Sequence, residues 1–176
     1  MSWWGKVIGS TLGFVLVGPL GALLGAALGH SFDKGLKGLD NMHLGVGGAD
    51  QERIQAAFFT ATFSVMGRVA KSDGVVSPTE IEVARQTMDK MQLNDEQKRA
   101  AINLFNQGKE NDFDLQSILQ QFRQECGRRT DLLRIFMEIQ LSTALADNEL
   151  HPEEQKLLLS VAELLGFKRR HFEEIL

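Results

Sequence analysis

Acidic side chains recur at matching positions in two stretches of the chain, DGVVSPTE at residues 73–80 and DNELHPEE at residues 147–154. Each stretch places an aspartate seven residues before a glutamate, as Asp73 with Glu80 and Asp147 with Glu154. In both stretches a proline lies between the two acids, and proline is common at the first residue of a helix. Carboxylates in this arrangement suit two roles, coordination of a hard divalent cation or stabilisation of a helix start.

The later stretch offers oxygen and nitrogen donors for a divalent cation from Asp147, Glu149, His151, Glu153 and Glu154. It does not complete the EF-hand pattern, because Pro152 replaces the glycine at position six and Leu158 replaces the glutamate at position twelve. Acidic residues in a first turn also stabilise a helix through its caps and dipole. Two interpretations stay open: structural use, or a weak Ca²⁺ or Mg²⁺ site formed by Asp73, Glu80, Asp147 and Glu154.

The tripeptide His151-Pro152-Glu153 differs by one residue type from the His-Pro-Asp tripeptide with which J-domains act on Hsp70. A J-domain also needs a long basic helix before the tripeptide, whereas the preceding residues here are LSTALADNEL. In the earlier stretch Ser77 occupies the place of His151, with capping-box spacing to Glu80. Helix initiation therefore explains the tripeptide better than an Hsp70 contact.

The chain has a single cysteine, Cys126, within the sequence RQECGRR. Neighbouring arginines favour a reactive thiolate, but burial of a cysteine on an amphipathic helix is the more common case. No nucleophile elbow, zinc-ligand pair or phosphate loop accompanies it, and Gly45, Gly47 and Gly48 follow no strand. We therefore expect no enzymatic activity. A lone cysteine also fits a reducing compartment.

The two acidic stretches belong to a longer internal repeat with an offset of 74 residues. The offset aligns Ala70 with Ala144, Pro78 with Pro152, Met91 with Leu165 and Leu93 with Phe167, besides both pairs of acids. This pattern indicates a helix–loop–helix unit written twice, and two such units can bury each other's apolar faces.

Helical periodicity dominates residues 50–176, and it predicts a compact all-α domain of about seven helices. Predicted helix starts follow Asp50, Ser77, Asn94 and Asp114, and further helices begin near Thr130 and Pro152. The predicted buried positions include Phe58, Val65, Ile81, Met88, Ile102, Phe105, Phe122, Phe136, Leu145 and Val161.

Residues 7–29 contain no charged side chain, and 23 helical residues extend about 34 Å, enough for a bilayer core of about 30 Å. Trp3 and Trp4 precede them as interfacial side chains. We therefore predict a retained transmembrane anchor over residues 1–30, and a cleaved signal peptide is the alternative. Glycines repeat every fourth residue on one helix face, which predicts homodimerisation through the anchor at Gly9, Gly13, Gly21, Gly25 and Gly29.

Residues 31–49 are rich in glycine and predict a flexible linker. The formal charge of −4 and pI near 5.6 argue against nucleic acid as the main partner. Lys34 and Lys37 beyond the span weakly favour a C-terminal domain in the cytoplasm. The basic residues Arg123, Arg128, Arg129, Arg134, Lys168, Arg169 and Arg170 predict a solvated face, with contact to anionic lipid as the alternative.

The anchor, the stretches FFTATFSVMGRVAKSDGVVSPTEI and LSTALADNELHPEE, and the final VAELLGF together resemble the membrane-anchored, DnaJ-like co-chaperones of the DjlA family. Within the resemblance, residues 50–176 are similar to a TerB (tellurite-resistance) domain. It implies a single-pass protein of the bacterial inner membrane, dimeric through its anchor, with the domain in the cytoplasm. It also implies a J-domain, which this chain does not contain, as the element that stimulates the Hsp70 DnaK.

Two hypotheses of function follow. The first is a DjlA-like co-chaperone in which the dimerising anchor and TerB-like adaptor domain position a J-domain at the inner membrane. The alternative is a J-less, TerB-family sensor of divalent metal or stress at the membrane. In the resemblance, the family's acidic positions carry over to Asp73, Glu80, Asp147 and Glu154.

Overall fold

The computed structural model describes residue 16 and residues 18–28 and 49–174 of the chain. This part of the chain contains eight helices and no strand. The helices are α1 (Gly18–Leu28), α2 (Ala49–Ala70), α3 (Pro78–Lys90), α4 (Asp95–Gly108), α5 (Leu115–Cys126), α6 (Thr130–Ala144), α7 (Pro152–Leu164) and α8 (Arg169–Glu173). The prediction of an all-α fold with seven helices after the linker is confirmed.

The helix starts predicted after Ser77, Asn94 and Asp114 are confirmed by their caps, whereas the start predicted after Asp50 is not, because Asp50 lies inside α2. Ser77 caps α3, and its hydroxyl accepts a hydrogen bond from the backbone N–H of Glu80. At the start of α4, the side chain of Asn94 accepts a hydrogen bond from the backbone N–H of Gln97, and the side chain of Gln97 accepts one from the backbone N–H of Asn94. Asp114 caps α5 through the backbone N–H of Ser117 at 3.1 Å. Each cap satisfies an N–H that has no partner within the helix.

The internal repeat is visible in the backbone. Helices α3 and α7 both have 13 residues, and their bounds differ by the offset seen in the sequence. Left-handed residues also recur at that offset, Gly74 (φ 97°) with Asn148 (φ 66°) and Gln92 (φ 54°) with Gly166 (φ 86°). Matching hydrogen bonds close the two helices, from Leu93 N to Met88 O and from Phe167 N to Ala162 O. The predicted duplication is therefore confirmed.

Helix α2 is the centre of the domain and packs against α4, α5, α6 and α7. A chain of aromatic rings crosses the core, with Phe122 6.2 Å from Phe58 and 4.8 Å from Phe136 between ring centroids. Helices α2 and α4 approach each other closely where Gly67 faces Phe105 and Gly108 faces Ser64. A Cβ at either glycine would overlap the carbonyl oxygen of the facing residue, so this crossing requires glycine at both positions.

Helix α1 packs on the domain against α4, α5 and α2, with Leu20, Leu24, Ala27 and Leu28 buried. Three side-chain amides bond its backbone: Gln121 accepts from Leu20 N at 2.8 Å, Asn103 donates to Ala27 O at 2.9 Å, and Gln107 donates to Leu23 O at 3.4 Å.

The predicted anchor is only partly covered by the structure. Helix α1 has 11 residues and a length of about 16 Å, about half the thickness of a bilayer core. Within the described residues, none of the helices combines the length and the apolarity that a membrane crossing requires. The remaining residues of the predicted anchor and the predicted linker up to residue 48 lie outside the described part of the chain.

Most predicted core positions are buried, but three are not. Ile81, Ile102 and Leu145 are 40%, 49% and 37% exposed, so their predicted burial is wrong. Ile81 lies on α3 and Ile102 on α4, and α3 packs on α6 and α2 while making little contact with α4. An open groove therefore separates α3 from α4, and both isoleucines reach solvent there.

Candidate functional site

The structure brings the two acidic stretches together at the starts of α3 and α7. Glu80 is buried, and its carboxylate accepts a hydrogen bond from the backbone N–H of Ser77 at 2.6 Å. Glu154 is also buried, and its carboxylate accepts from the backbone N–H of His151 at 3.0 Å. Both predicted glutamates therefore close the first turn of a helix, as in a capping box.

The two buried glutamates also meet each other. Burial raises the pKa of Glu154 to about 7, and the hydrogen bond from the backbone N–H of His151 opposes this rise. The like charge of the neighbouring Glu80 raises the pKa further. A proton on Glu154 removes the repulsion between its carboxylate and that of Glu80.

The two predicted aspartates lie in the loops that precede these helices. Asp73 accepts a hydrogen bond from the backbone N–H of Val75 at 2.9 Å, and Asp147 accepts from Glu149 at 3.1 Å. These bonds are Asx turns, in which the side chain stabilises the left-handed residue that follows it. The bond from Glu149 is the main reason that the pKa of Asp147 is lowered.

His151 lies between the two loops and close to an aspartate of each. The sequence did not predict this position. Its Nε2 lies 3.5 Å from Asp147 and 3.9 Å from Asp73, one aspartate from each repeat. Partial burial by itself would lower the pKa of His151, but the carboxylates of Asp147, Glu154 and Asp73 together raise it. The repeat offset indicated that the loops of Asp73 and Asp147 are equivalent, but the position of His151 between these aspartates depends on how the two repeats pack.

The structure shows the structural use of the four carboxylates directly, in two caps and two Asx turns. A Ca²⁺ site needs six to eight oxygen ligands, and each of these four carboxylates already accepts a hydrogen bond from a backbone N–H group. Among the described residues, no three or more histidine, cysteine, aspartate or glutamate side chains are arranged to hold a metal ion. The weak Ca²⁺ or Mg²⁺ site stays a prediction.

The glycines predicted to mediate dimerisation are only partly described. Gly21 and Gly25 lie on α1, whereas Gly9, Gly13 and Gly29 lie outside the described residues. A Cβ at Gly25 would meet no atom within 4 Å, while a Cβ at Gly21 would overlap the carbonyl oxygen of Leu16. The two glycines therefore differ in how much a larger side chain disturbs the chain around them.

Cys126 is buried at the end of α5, as the more common of the two interpretations expected. Burial raises the pKa of its thiol to about 12, and Glu125 adds to the rise. A neutral thiol is a poor nucleophile, so the arginines around Cys126 do not activate it.

Of the predicted basic face, Arg129 and Arg134 pair with Asp131 and Glu138 on the surface of α6.

Comparison with known proteins identifies the domain that carries this acidic cluster. Residues 59–176 match the family model described as tellurite resistance protein TerB. The chain belongs to the TerB family. The TerB match includes both acidic stretches, both buried glutamates and the whole of the second repeat.

The region before the TerB domain matches a second family model, the transmembrane domain of co-chaperone DjlA, over residues 1–40. This match covers the predicted anchor and the first part of the predicted linker. The TerB domain and this segment together have the order of the anchor and helical domain that the sequence resemblance implied.

Curated relatives match the TerB domain and the anchor segment together. The co-chaperone protein DjlA of Yersinia pseudotuberculosis is 44% identical over 177 residues, which cover 100% of this chain and 62% of the relative. DjlA of Photobacterium profundum is 45% identical over 97% of this chain and 63% of its own length. DjlA of Escherichia coli is 40% identical over 100% of this chain and 64% of its own length. The predicted similarity to DjlA is confirmed.

The chain thus spans a little under two thirds of the length of the curated relatives that it matches. No solved structure matches it.

Proposed function

We propose that this chain is the membrane-anchored adaptor portion of a DjlA-like co-chaperone. The observation that carries the proposal is the continuous similarity to DjlA proteins across the anchor segment and the TerB domain together. A match to a TerB domain alone would not distinguish a co-chaperone from another protein with this domain. The additional match to the DjlA transmembrane domain supports the domain order of a DjlA protein. The chain would act by positioning a partner activity at the membrane and would have no catalytic activity of its own.

In this proposal the chain crosses the bacterial inner membrane once, with the TerB domain in the cytoplasm. The match to a DjlA transmembrane domain and the 23 uncharged residues at 7–29 support the crossing. Helix α1 lies within that stretch, so crossing requires it to leave the surface of α4 and α5, where Leu20 and Leu24 are now buried. The bilayer then replaces the domain as the apolar environment of these leucines.

Cell fractionation tests the location. The chain should enter the inner-membrane fraction, and a protease added outside spheroplasts should leave the TerB domain intact. Recovery of the intact chain in the soluble fraction would contradict the anchoring. Cleavage of the domain from outside would contradict the orientation alone.

The partnership with DnaK would require a J-domain, which the family resemblance implies. A chimera tests it: residues 1–176 replace the matching part of Escherichia coli DjlA, and membrane vesicles are assayed for DnaK ATPase activity. We expect stimulation close to that of the native relative. An inactive chimera that is present in the vesicles at the same level would contradict the adaptor function.

The alternative drawn from the sequence, a J-less sensor of divalent metal or stress, has less support. Its basis is the acidic cluster, and the carboxylates in that cluster already stabilise helix starts and loops. The similarity to DjlA along the whole chain favours the co-chaperone architecture.

A further inference from the structure

An apolar groove lies on the face of the TerB domain between α3 and α4, away from the acidic cluster. Its volume is about 260 Å³, and its lining includes Ile81, Ala84, Met88, Ile102 and Phe105. Ile81 and Ile102 are 40% and 49% exposed, and Val75, beside the lining residue Val76, is 71% exposed. Three of the five large apolar side chains that the described part of the domain exposes are therefore at or beside this groove.

The internal repeat shows that the fold does not require apolar side chains at Val75 and Ile81. At the offset of 74, Val75 corresponds to Glu149 and Ile81 to Gln155. Helix α7 has the same length and the same helix-closing bonds as α3 with polar residues at those positions. The same structural unit is thus built with polar side chains in one copy and apolar side chains in the other. A binding function explains why the first copy exposes them.

The size of the groove indicates what it accepts. Small-molecule sites occupy about 300–1,000 Å³ and enclose most of the ligand. A groove slightly below that range, between two helices, suits a few aliphatic side chains from one face of a helix. An amphipathic helix presents such side chains at positions i, i+3 or i+4, and i+7.

The rim of the groove is positively charged. Arg85 lines it from α3 and is largely exposed, with one long contact of 3.9 Å to Glu82. Lys109 lines it from the end of α4, with its ammonium 5.7 Å from the centre of the Phe105 ring. The whole chain has a formal charge of −4, so this basic rim is a local exception that would favour an acidic partner.

We propose that the groove between α3 and α4 binds an acidic amphipathic helix of a partner protein. Aliphatic side chains of that helix fill the space between Ile81 and Ile102, and its carboxylates face Arg85 and Lys109. A second copy of the chain fits less well, because a twofold contact places the same patch of both copies together and brings the cations of each rim close to those of the other. This inference concerns a surface that the anchoring and DnaK proposals do not use.

The test uses two synthetic helical peptides and the ¹⁵N-labelled full chain in detergent micelles. Both peptides carry leucine at i, i+3 and i+7, and they differ only in glutamate or lysine along the edges. Backbone amide shifts locate binding at the groove and so distinguish it from partition of the peptide into micelles. The acidic peptide should shift amides near Ile81 and Ile102 and bind at least about tenfold more tightly than the basic one, with loss of that preference at high salt.

Variants taken from the second repeat test the residues. Ile81→Gln introduces the side chain that α7 carries at the same position, and it should weaken binding about tenfold or more while leaving thermal unfolding close to that of the native chain. Ile135→Gln is the control, because Ile135 is 45% exposed on α6 and does not line the groove. It should bind the acidic peptide like the native chain.

Three outcomes would overturn the proposal. The first is equal affinity for the acidic and basic peptides, and the second is full affinity in Ile81→Gln. The third is self-association of the chain that Ile81→Gln abolishes, because this would assign the groove to a second copy.

Discussion

Glu154 and Glu80 occupy equivalent positions in the two repeats, and both are buried where α7 and α3 begin, close enough for the charge of Glu80 to raise the pKa of Glu154. Each of these glutamates also accepts the backbone N–H that begins its own helix. The contact between the two halves of the TerB domain therefore includes a pair of buried acids rather than apolar side chains alone. The stability of this contact depends on whether Glu154 holds a proton.

The stability of the domain should decrease as pH rises from about 4.5 to about 7. The pKa of Glu154 is raised from 4.5 to about 7 in the folded state, so the folded chain binds the proton that the unfolded chain has lost. Deprotonation should cost about 1–2 kcal/mol in the free energy of unfolding, after allowance for solvent screening. The pKa of His151 is also raised in the folded state. The stability of the domain should therefore fall further as pH rises past 6.5, the pKa of histidine in the unfolded chain.

Urea unfolding at pH 5 and pH 8 checks this expectation. Glu154→Gln should reduce the difference between the two pH values, because the amide keeps an acceptor for His151 N and does not titrate. Glu153→Gln, at an exposed position on the same helix, should leave the difference unchanged. An undiminished pH dependence in Glu154→Gln would show that other groups cause it.

The crossing of α2 and α4 gives a second prediction. In an exposed helix, a change from glycine to alanine stabilises by about 1 kcal/mol. At Gly67 we expect the opposite sign, a loss of about 1–3 kcal/mol, because the new Cβ overlaps the Phe105 carbonyl oxygen. The thermal midpoint should fall by about 3–10 °C. Gly25→Ala is the control, since no neighbouring atom lies within 4 Å of its Cβ, and it should not lower the midpoint.

The sequence predicted the elements of the fold because their signals are local. Ser77, Asn94 and Asp114 mark helix starts by side-chain chemistry, and the offset of 74 identified the duplication. Exposure of Ile81 and Ile102 could not be read from periodicity, because a helix pattern gives the apolar face but not the neighbour that covers it. The position of His151 between two aspartates depends likewise on how the repeats pack.

The metal hypothesis yields a third prediction. If the acidic loops bind Ca²⁺, amide shifts should appear in both loops, near Asp73 and Asp147, at about 0.1–1 mM metal, the range of weak protein sites. Binding should strengthen between pH 6 and pH 8, because the metal competes with the proton on Glu154. Asp73→Asn should weaken it, and Asp112→Asn, in the loop before α5, should not. Shifts absent or spread over the whole surface would leave the carboxylates with structural roles only.

The position of α1 gives a fourth prediction. Gln121 bonds Leu20 N on the domain surface, so Gln121→Ala should speed hydrogen exchange of that amide about two- to tenfold in detergent. Gln120→Ala, at an exposed position on the same helix, should have no effect. In lipid bilayers, where α1 would lie within the membrane, neither variant should matter. An equal effect of Gln121→Ala in bilayers would place α1 on the domain and contradict its membrane crossing.

Dimerisation through the anchor is best tested at Gly25 rather than Gly21. A side chain at Gly21 would overlap the carbonyl oxygen of Leu16, so Gly21→Leu disturbs the chain locally whether or not the helix has a partner. Gly25 faces open space, and leucine there only prevents close approach of a second helix. Gly25→Leu should lower the signal of a membrane dimerisation reporter towards the monomer level, and Ala26→Leu, which adds similar bulk on an adjacent face, should not. An unchanged signal in Gly25→Leu would show that the glycine face does not hold the dimer.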